Sequence, residues 1–222
     1  MDPTSPSAPR LASMDPRYLE RRAEFESRFS RAKVIPESRT TSLSPCLRYR
    51  IDVEEYATEA GRLGYSRGTV TRCSNGEVLA DVRRNYPEFW HAWVIRSDGQ
   101  YLLFGEDYQG YSVLNLADGA HETYFPEAAY GGAGFCCAQA TPSPDGRTVA
   151  VEGCVWACPF QLALLDVSDA MTLPLRTLAL IDDLVHVNGW LDSQTLSYAT
   201  YGPQPSEDVD GPVIDGTWTR VD

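Results

Sequence analysis

The sequence lacks any long apolar run. Nowhere do about 18 apolar residues follow one another without a charge, and the first 30 residues hold no apolar stretch of the kind that secretory signals need. Neither a membrane-spanning helix nor an export signal is therefore predicted. We expect a cytoplasmic protein with no membrane partner.

Cysteine is scarce, and complete catalytic motifs are missing. Six cysteines in 222 residues are too few for a disulfide-built scaffold, and cytoplasmic thiols meet a reducing environment. The chain contains no G-x-S-x-G nucleophile elbow and no H-E-x-x-H zinc motif. His91, His121 and His186 have no motif spacing to a cysteine or serine. The sequence therefore favours a protein that is not an enzyme.

Charge is divided unevenly along the chain. The net charge is −12, yet the first 50 residues hold ten basic side chains against six acidic ones. The remainder holds nine basic and 25 acidic side chains, a net charge of −16. Such a body repels nucleic-acid phosphates and attracts basic proteins at long range. We predict a basic protein partner and no nucleic-acid partner.

The N-terminal residues differ from the rest in composition. Residues 1–13 are rich in Pro, Ser and Ala, which predicts a disordered leader. Asp15 suits a helix N-cap and Pro16 the first helical position, so a helix is predicted to run to about Lys33 within an N-terminal arm and linker, residues 14–45. Its thin apolar stripe lies among five arginines. The helix either packs across the acidic body or meets another molecule.

Residues 46–222 form the predicted antiparallel β domain. Short apolar runs alternate there with turn sequences, and Asn-Gly and Asp-Gly supply the positive φ angles that tight hairpins need. The clearest turns are Ser74-Asn75-Gly76, Ser97-Asp98-Gly99, Ala117-Asp118-Gly119 and Pro144-Asp145-Gly146. We therefore predict a mainly β fold of consecutive hairpins.

Two stretches share a pattern of strand, Ser-Asp-Gly or Ser-Pro-Asp-Gly turn, strand, loop and strand. They cover residues 90–116 and 135–167, and a weaker third copy begins at Val185. Over about residues 89–201 the pattern resembles WD40-like β-propeller blades, in which SPDG joins the first two strands. The resemblance implies about four propeller-like blades or an open curved sheet. The family's Gly-His and Trp-Asp signatures are missing, and the chain is too short for a seven-bladed ring.

Four of the six cysteines cluster. Cys136 and Cys137 lie on one predicted strand, and Cys154 and Cys158 lie in the segment GCVWACP after the next strand. If the repeat is correct, the two pairs flank one hairpin, and four thiolates can hold zinc. Adjacent strand residues point to opposite faces, so Cys136 and Cys137 reach one ion only at a bulge. Zinc, a disulfide between Cys154 and Cys158, and free thiols are the alternatives; no other cofactor is predicted.

A polar segment after the predicted strand Tyr101 to Phe104 carries Glu106, Asp107, Tyr108 and Tyr111. Paired carboxylates can serve as general acid and base or hold a hard cation. The two tyrosines suit contact with another protein. The simplest interpretation of this segment is a solvated loop, and the more specific one is a partner-binding loop. The alternative function for the protein is a metal-dependent hydrolase that uses this loop or a cysteine-bound zinc.

The glycine-rich stretch from Tyr130 to Phe135 precedes a predicted strand rather than a helix. Phosphate-binding glycine loops lead into a helix N-terminus, so this stretch is interpreted as a crossover between hairpin units.

A second acidic segment precedes the last predicted strand. It contains Glu207, Asp208 and Asp210 without the spacing of an EF-hand, and it predicts a solvated loop or a docking site for a basic partner. Taken together, the residues favour a non-enzymatic, protein-binding β module. Its most specific form, an acidic inhibitor or immunity-type protein that sequesters a basic partner, is an analogy.

Overall fold

The structure of this chain is a computed structural model that describes residues 12–58, 64–156, 159–203 and 211–221. Within these ranges, sixteen strands form four antiparallel sheets that follow one another along the chain. The prediction of a mainly β protein with propeller-like antiparallel sheets and an N-terminal α-helix is confirmed.

The first two sheets are formed by residues 33–124. The strands of the first are β1 (Lys33–Val34), β2 (Thr40–Leu43), β3 (Tyr49–Ala57), β4 (Tyr65–Arg72) and β5 (Val78–Arg84). They pair in the order β1-β3-β4-β5, and β2 also pairs with β3. The second sheet runs in chain order through β6 (His91–Ile95), β7 (Gln100–Phe104), β8 (Tyr111–Asn115) and β9 (His121–Tyr124).

The third and fourth sheets follow, also in chain order. The third contains β10 (Cys136–Pro142), β11 (Thr148–Cys154), β12 (Gln161–Asp166) and β13 (Arg176–Ile181). The fourth contains β14 (Leu184–Trp190), β15 (Thr195–Tyr201) and β16 (Val213–Thr219). Each sheet after the first is therefore a meander, in which neighbours in sequence are neighbours in space.

Two α-helices accompany the sheets in the described ranges. The first, α1 (Pro16–Phe29), begins as predicted, because the Asp15 side chain accepts a hydrogen bond from the Arg17 backbone N–H and Pro16 occupies the first turn. It ends at Phe29, before the predicted Lys33. The short α2 (Glu127–Tyr130) lies between β9 and β10. No helix in the described ranges is long and apolar enough to cross a membrane.

The central sheets are buried on both faces. Leu102 of β7 packs in a cluster shared with the first sheet, whereas the adjacent Leu103 packs in a cluster shared with the third. In β11, Val149 and Val151 face the second sheet and Ala150 faces the fourth. Two-sided burial explains why these strands are continuous apolar runs rather than alternating ones.

The sheets form an open series. Buried clusters join the first sheet to the second, the second to the third, and the third to the fourth. The Trp190 indole N–H, on the fourth sheet, donates to the Thr141 carbonyl on the third at 3.0 Å. Among the described residues, no buried cluster joins the fourth sheet to the first. In the described part of the chain, the four sheets thus stack as propeller-like blades without a packed closure between the first sheet and the fourth.

The Asp-Gly turns lie where the sequence predicts them. Ser97-Asp98-Gly99 connects β6 to β7, and Ser143 to Gly146 connects β10 to β11. Gly146 has a φ of 68°, and a Cβ there would lie 2.7 Å from the Arg96 Cγ. Both the positive φ and the close approach require glycine.

Several segments differ from the sequence prediction. Residues assigned to the linker form β1 and β2, which pair with β3 in the first sheet. The strands β3 and β9 were not predicted. Most of the predicted leader, residues 1–11, lies outside the described residues; Ala12 is buried and begins a short 3₁₀ turn.

Leu164→Ala should test the two-sided packing. Leu164 is fully buried where the third sheet meets the fourth, so truncation should lower the free energy of unfolding by about 2–5 kcal/mol. The matched variant Leu191→Ala alters a leucine that is 67% exposed and should change it by less than about 0.5 kcal/mol. Urea titration measures both; equal effects would contradict the packing described.

Candidate functional site

The helix α1 covers the acidic loop that connects β7 to β8, residues 105–110. Arg21 on α1 donates to the Asp107 carboxylate through Nε at 2.7 Å and through Nη2 at 3.2 Å. The Asp107 side chain is only 2% exposed, and it also accepts a hydrogen bond from the Tyr108 backbone N–H at 2.8 Å. This carboxylate is therefore neutralised by the protein's own N-terminal helix.

Glu106 is enclosed in the same way. The Tyr18 hydroxyl donates to one carboxylate oxygen at 2.8 Å, and His121 Nε2 lies 3.2 Å from the other. Arg22 Nε lies 3.8 Å from the carboxylate. Burial acts to raise the pKa of Glu106, but the His121 hydrogen bond and the Arg22 charge outweigh it, and the pKa falls below its ordinary 4.5.

A buried arginine fixes the backbone of the acidic loop. Arg84, 1% exposed at the end of β5, donates to the Asp107 carbonyl at 2.5 Å and to the Glu88 carbonyl at 2.7 Å. A Cβ on Gly105 would lie 2.2 Å from Arg84 Nη1, so only glycine fits there. Burial lowers the pKa of Arg84 to about 10.

Contacts near both ends of α1 also hold the helix against the rest of the protein. Arg17 pairs with Glu127 of α2 at 2.7 Å. Phe25 and Phe29 pack edge-on or tilted against Tyr65 at ring-centroid distances of 5.2 and 5.9 Å. Of the two predicted roles of the helix, packing across the acidic body is therefore the one observed. Glu106 and Asp107 face α1, so their predicted roles in partner binding or hydrolysis stay predictions and require α1 to move.

Three loops meet in an exposed aromatic surface. Trp156, in the loop after β11, is 56% exposed and contacts the Tyr108 ring at 5.5 Å in an edge-on arrangement. A Cβ on Gly132, in the glycine-rich crossover, would lie 3.1 Å from the Trp156 indole nitrogen. We call Tyr108, Gly132 and Trp156 the Trp156 surface. Trp156 has a φ of 45°, a left-handed conformation that is costly for a bulky side chain.

Tyr111 lies between sheets rather than on the surface. It is 9% exposed, and its hydroxyl oxygen accepts a hydrogen bond from the Leu175 backbone N–H at 2.7 Å. Its predicted contact with a partner is therefore not supported by its position, because strand β8 turns the ring towards the third sheet.

The clustered cysteines are only partly brought together. Cys136 and Cys154 are opposite each other in the β10–β11 ladder, whereas Cys137 is buried between the second and third sheets. A bulge follows Cys137 in β10. Cys137 nevertheless stays buried, whereas Cys136 is only half-buried. Burial raises the pKa of Cys137 to about 12. Cys158 lies outside the described residues, so its disulfide with Cys154 and the zinc site stay predictions.

Other predicted site residues also fall outside the described ranges. Glu207, Asp208 and Asp210 are among them, and their docking role stays a prediction. Within the described part of the chain, no group of three or more His, Cys, Asp or Glu side chains is arranged to hold a metal ion.

Arg21→Ala should expose how strongly α1 is held. It leaves the Asp107 carboxylate buried without its cation, so the free energy of unfolding should fall by about 2 kcal/mol. Arg28→Ala removes an exposed pair with Glu24 and should cost less than about 0.5 kcal/mol. Adding Asp107→Asn to Arg21→Ala should recover part of the loss. Equal effects of Arg21→Ala and Arg28→Ala in urea titration would contradict this network.

Acid should destabilise the protein over a defined range. The Arg17 hydrogen bond lowers the pKa of Asp15 to about 2, and Glu106 also has a lowered pKa. A carboxyl with a lower pKa in the folded state stabilises it above the unfolded pKa and loses that effect as pH falls through the folded pKa. The contribution of these two carboxyls to the free energy of unfolding should therefore be flat above about pH 5 and fall from there towards pH 2.

Urea titrations at several pH values measure this fall. Glu106→Gln should reduce its size, whereas Glu24→Gln, on a side chain that is 68% exposed, should leave it unchanged. A stability that rises between pH 5 and pH 3 would contradict the assignment.

Comparisons with known proteins relate part of this chain to another protein sequence. No family model matches the chain. It is 33% identical over 141 residues to an uncharacterized protein of Acanthamoeba polyphaga mimivirus, which covers 64% of this chain and 55% of that protein. The chain thus spans little more than half the length of this relative. It also matches the Cps50 (Swd1) β-propeller domain of Myceliophteria thermophila at 9% identity and a TM-score of 0.38, over 85% of this chain and 75% of that domain. The propeller-like description rests on the strand order, not on this likeness.

Proposed function

We propose that this protein is a non-enzymatic protein-binding β module whose partner binds at the Trp156 surface. The observation that carries the proposal is Trp156 itself, a large aromatic side chain that is 56% exposed and held at a φ of 45°. An exposed side chain gains little from burial and the left-handed backbone costs free energy, so stability does not account for a tryptophan at this position.

The composition of this surface supports protein binding. Tryptophan, tyrosine and arginine are the residues that most often contribute the largest share of binding energy in protein interfaces. Here Trp156 packs against Tyr108, and the Arg21 guanidinium lies 5.9 Å from the Tyr108 ring. Because Asp107 holds Arg21 near the Tyr108 ring, this part of the surface is ordered before a partner binds and loses little side-chain freedom on binding.

We further propose a basic partner. The chain beyond residue 50 carries a net charge of −16, which attracts basic proteins and speeds their association. An acidic inhibitor or immunity-type protein that sequesters a basic partner is the finer form of this proposal. In that form, Glu207, Asp208 and Asp210 supply part of the attraction.

Substitution of Trp156 should separate binding from stability. Trp156→Gly removes the aromatic anchor, so affinity for the partner should fall by at least about 2 kcal/mol, or roughly 30-fold. The same change relieves the left-handed strain, so the free energy of unfolding should not fall and should rise by about 0.5 kcal/mol.

The partner is first identified by affinity purification on the immobilised wild-type chain from lysate of the organism that encodes it, and its Kd is then measured for each variant. Tyr201→Ala, which removes an aromatic side chain that is 38% exposed on the fourth sheet, is the matched control and should bind normally. If Trp156→Gly binds as tightly as wild type, the Trp156 surface is not the interface.

Salt tests the charge of the partner separately. The association rate should fall steeply between about 0.05 and 0.5 M salt if attraction to a basic partner speeds the encounter. A rate that is indifferent to salt would contradict a basic partner while leaving the aromatic interface standing.

A further inference from the structure

A pocket of about 470 Å³ lies between the second and third sheets. Pockets of about 300–1,000 Å³ are the size that holds small organic molecules. Its walls include Val151, Ala163 and Leu165 from the third sheet and Tyr111 and Tyr124 from the second. None of the three residues of the Trp156 surface lines this space, although their neighbours Ala133 and Val155 do.

Two of the residues that line the pocket, Tyr111 and Tyr124, carry hydroxyl groups. Tyr111 and Tyr124 are opposite each other in the β8–β9 ladder, with their ring centroids 5.4 Å apart. The Tyr111 hydroxyl oxygen accepts from the Leu175 N–H, which leaves its own proton free to donate. The Tyr124 hydroxyl has no hydrogen-bond partner in the part of the chain that the structure describes.

A third polar atom lies at the edge of this wall. The Gln109 side-chain oxygen is buried without a hydrogen-bond partner among the described residues. It lies 3.0 Å from where a Cβ on Gly134 would be, and Gly134 lines the pocket. A buried acceptor without a donor costs free energy, but it cannot pair with an acceptor on a ligand, so Gln109 is not one of the groups that would hold a ketone or ester oxygen.

The lining excludes charged ligands. None of the described residues that form it is Asp, Glu, Lys, Arg or His. Its ionisable groups are neutral near pH 7, because burial raises the pKa of Cys137 to about 12 and also raises the pKa of Tyr111 and Tyr124. A charged ligand would therefore lose its hydration without gaining a counter-ion.

We propose that this pocket binds a small, uncharged, mainly apolar molecule that carries a hydrogen-bond acceptor, such as a ketone or ester oxygen, which the Tyr111 and Tyr124 hydroxyls hold. The apolar walls from the third sheet enclose its body. Binding of such a molecule can be tested without a protein partner.

A fluorescent ketone tests the proposal on the full chain. Prodan is an uncharged naphthalene with a ketone oxygen, and it should bind at one saturable site with a blue-shifted emission. Tyr124→Phe removes one donor and should weaken Prodan binding about fivefold, the effect of one neutral hydrogen bond. Because that hydroxyl has no partner in the described residues, the variant should fold normally.

Two blocking variants locate the site. Thr177 and Ala128 line the pocket at exposed positions, so Thr177→Trp and Ala128→Trp should each weaken Prodan binding at least tenfold without altering the core. Thr217→Trp adds the same side chain at an exposed position on β16 and should bind Prodan as wild type does.

An anionic probe tests the charge selectivity. 1-Anilinonaphthalene-8-sulfonate carries a naphthalene ring with a negative charge and should bind at least tenfold more weakly than Prodan. The proposal is overturned if Prodan does not bind saturably, if Thr177→Trp and Thr217→Trp bind it equally, or if the anionic probe competes with Prodan at equal affinity. If Prodan does not bind saturably, an apolar side chain of a protein partner is the remaining candidate to occupy the pocket.

Discussion

Every described part of this protein depends on the burial of two central sheets on both faces. Leu102 and Leu103 are neighbours in β7 of the second sheet, yet they pack against different sheets. Val149 and Ala150 repeat this arrangement in β11 of the third sheet. A strand that is apolar on both faces needs a neighbour on each side, so the sheets must stack in series. The loops that connect successive strands then lie at the strand ends of each sheet. The acidic loop and the Trp156 surface are both placed by this geometry.

The acidic loop shows how an apparent binding site can be occupied by the chain itself. Composition alone gives a basic N-terminal segment and an acidic body, and the structure joins the two through Arg21 and Asp107. A buried ion pair of this kind fixes geometry more than it adds stability, because desolvation offsets much of the attraction. Its effect is to hold α1 over the loop and to keep the Arg21 guanidinium near the Tyr108 ring. A partner that needs Glu106 or Asp107 must first displace this helix.

Much of the fold could be predicted from the sequence, because its signals are local. The Asp15-Pro16 helix start and the Asp-Gly turns depend on residues that are adjacent in the chain. The strand β3 was missed because its alternating pattern, Tyr49–Ala57, includes charged residues on the exposed face. The site was harder to predict. The pairing of Arg21 with Asp107 spans 86 positions, and the φ of Trp156 depends on the loop around it, so neither leaves a local signal.

The proposed interface and the proposed pocket would bind their ligands through different interactions. Trp156 offers an exposed aromatic ring on a strained backbone, whereas Tyr124 lies on an apolar pocket and carries a free hydroxyl. The most direct test of the central claim is hydrogen–deuterium exchange of the chain with and without its bound partner. Binding at the Trp156 surface should slow exchange in residues 130–136 and 154–161 and leave β15 and β16 unchanged. Protection confined to the fourth sheet, with none around Trp156, would contradict it.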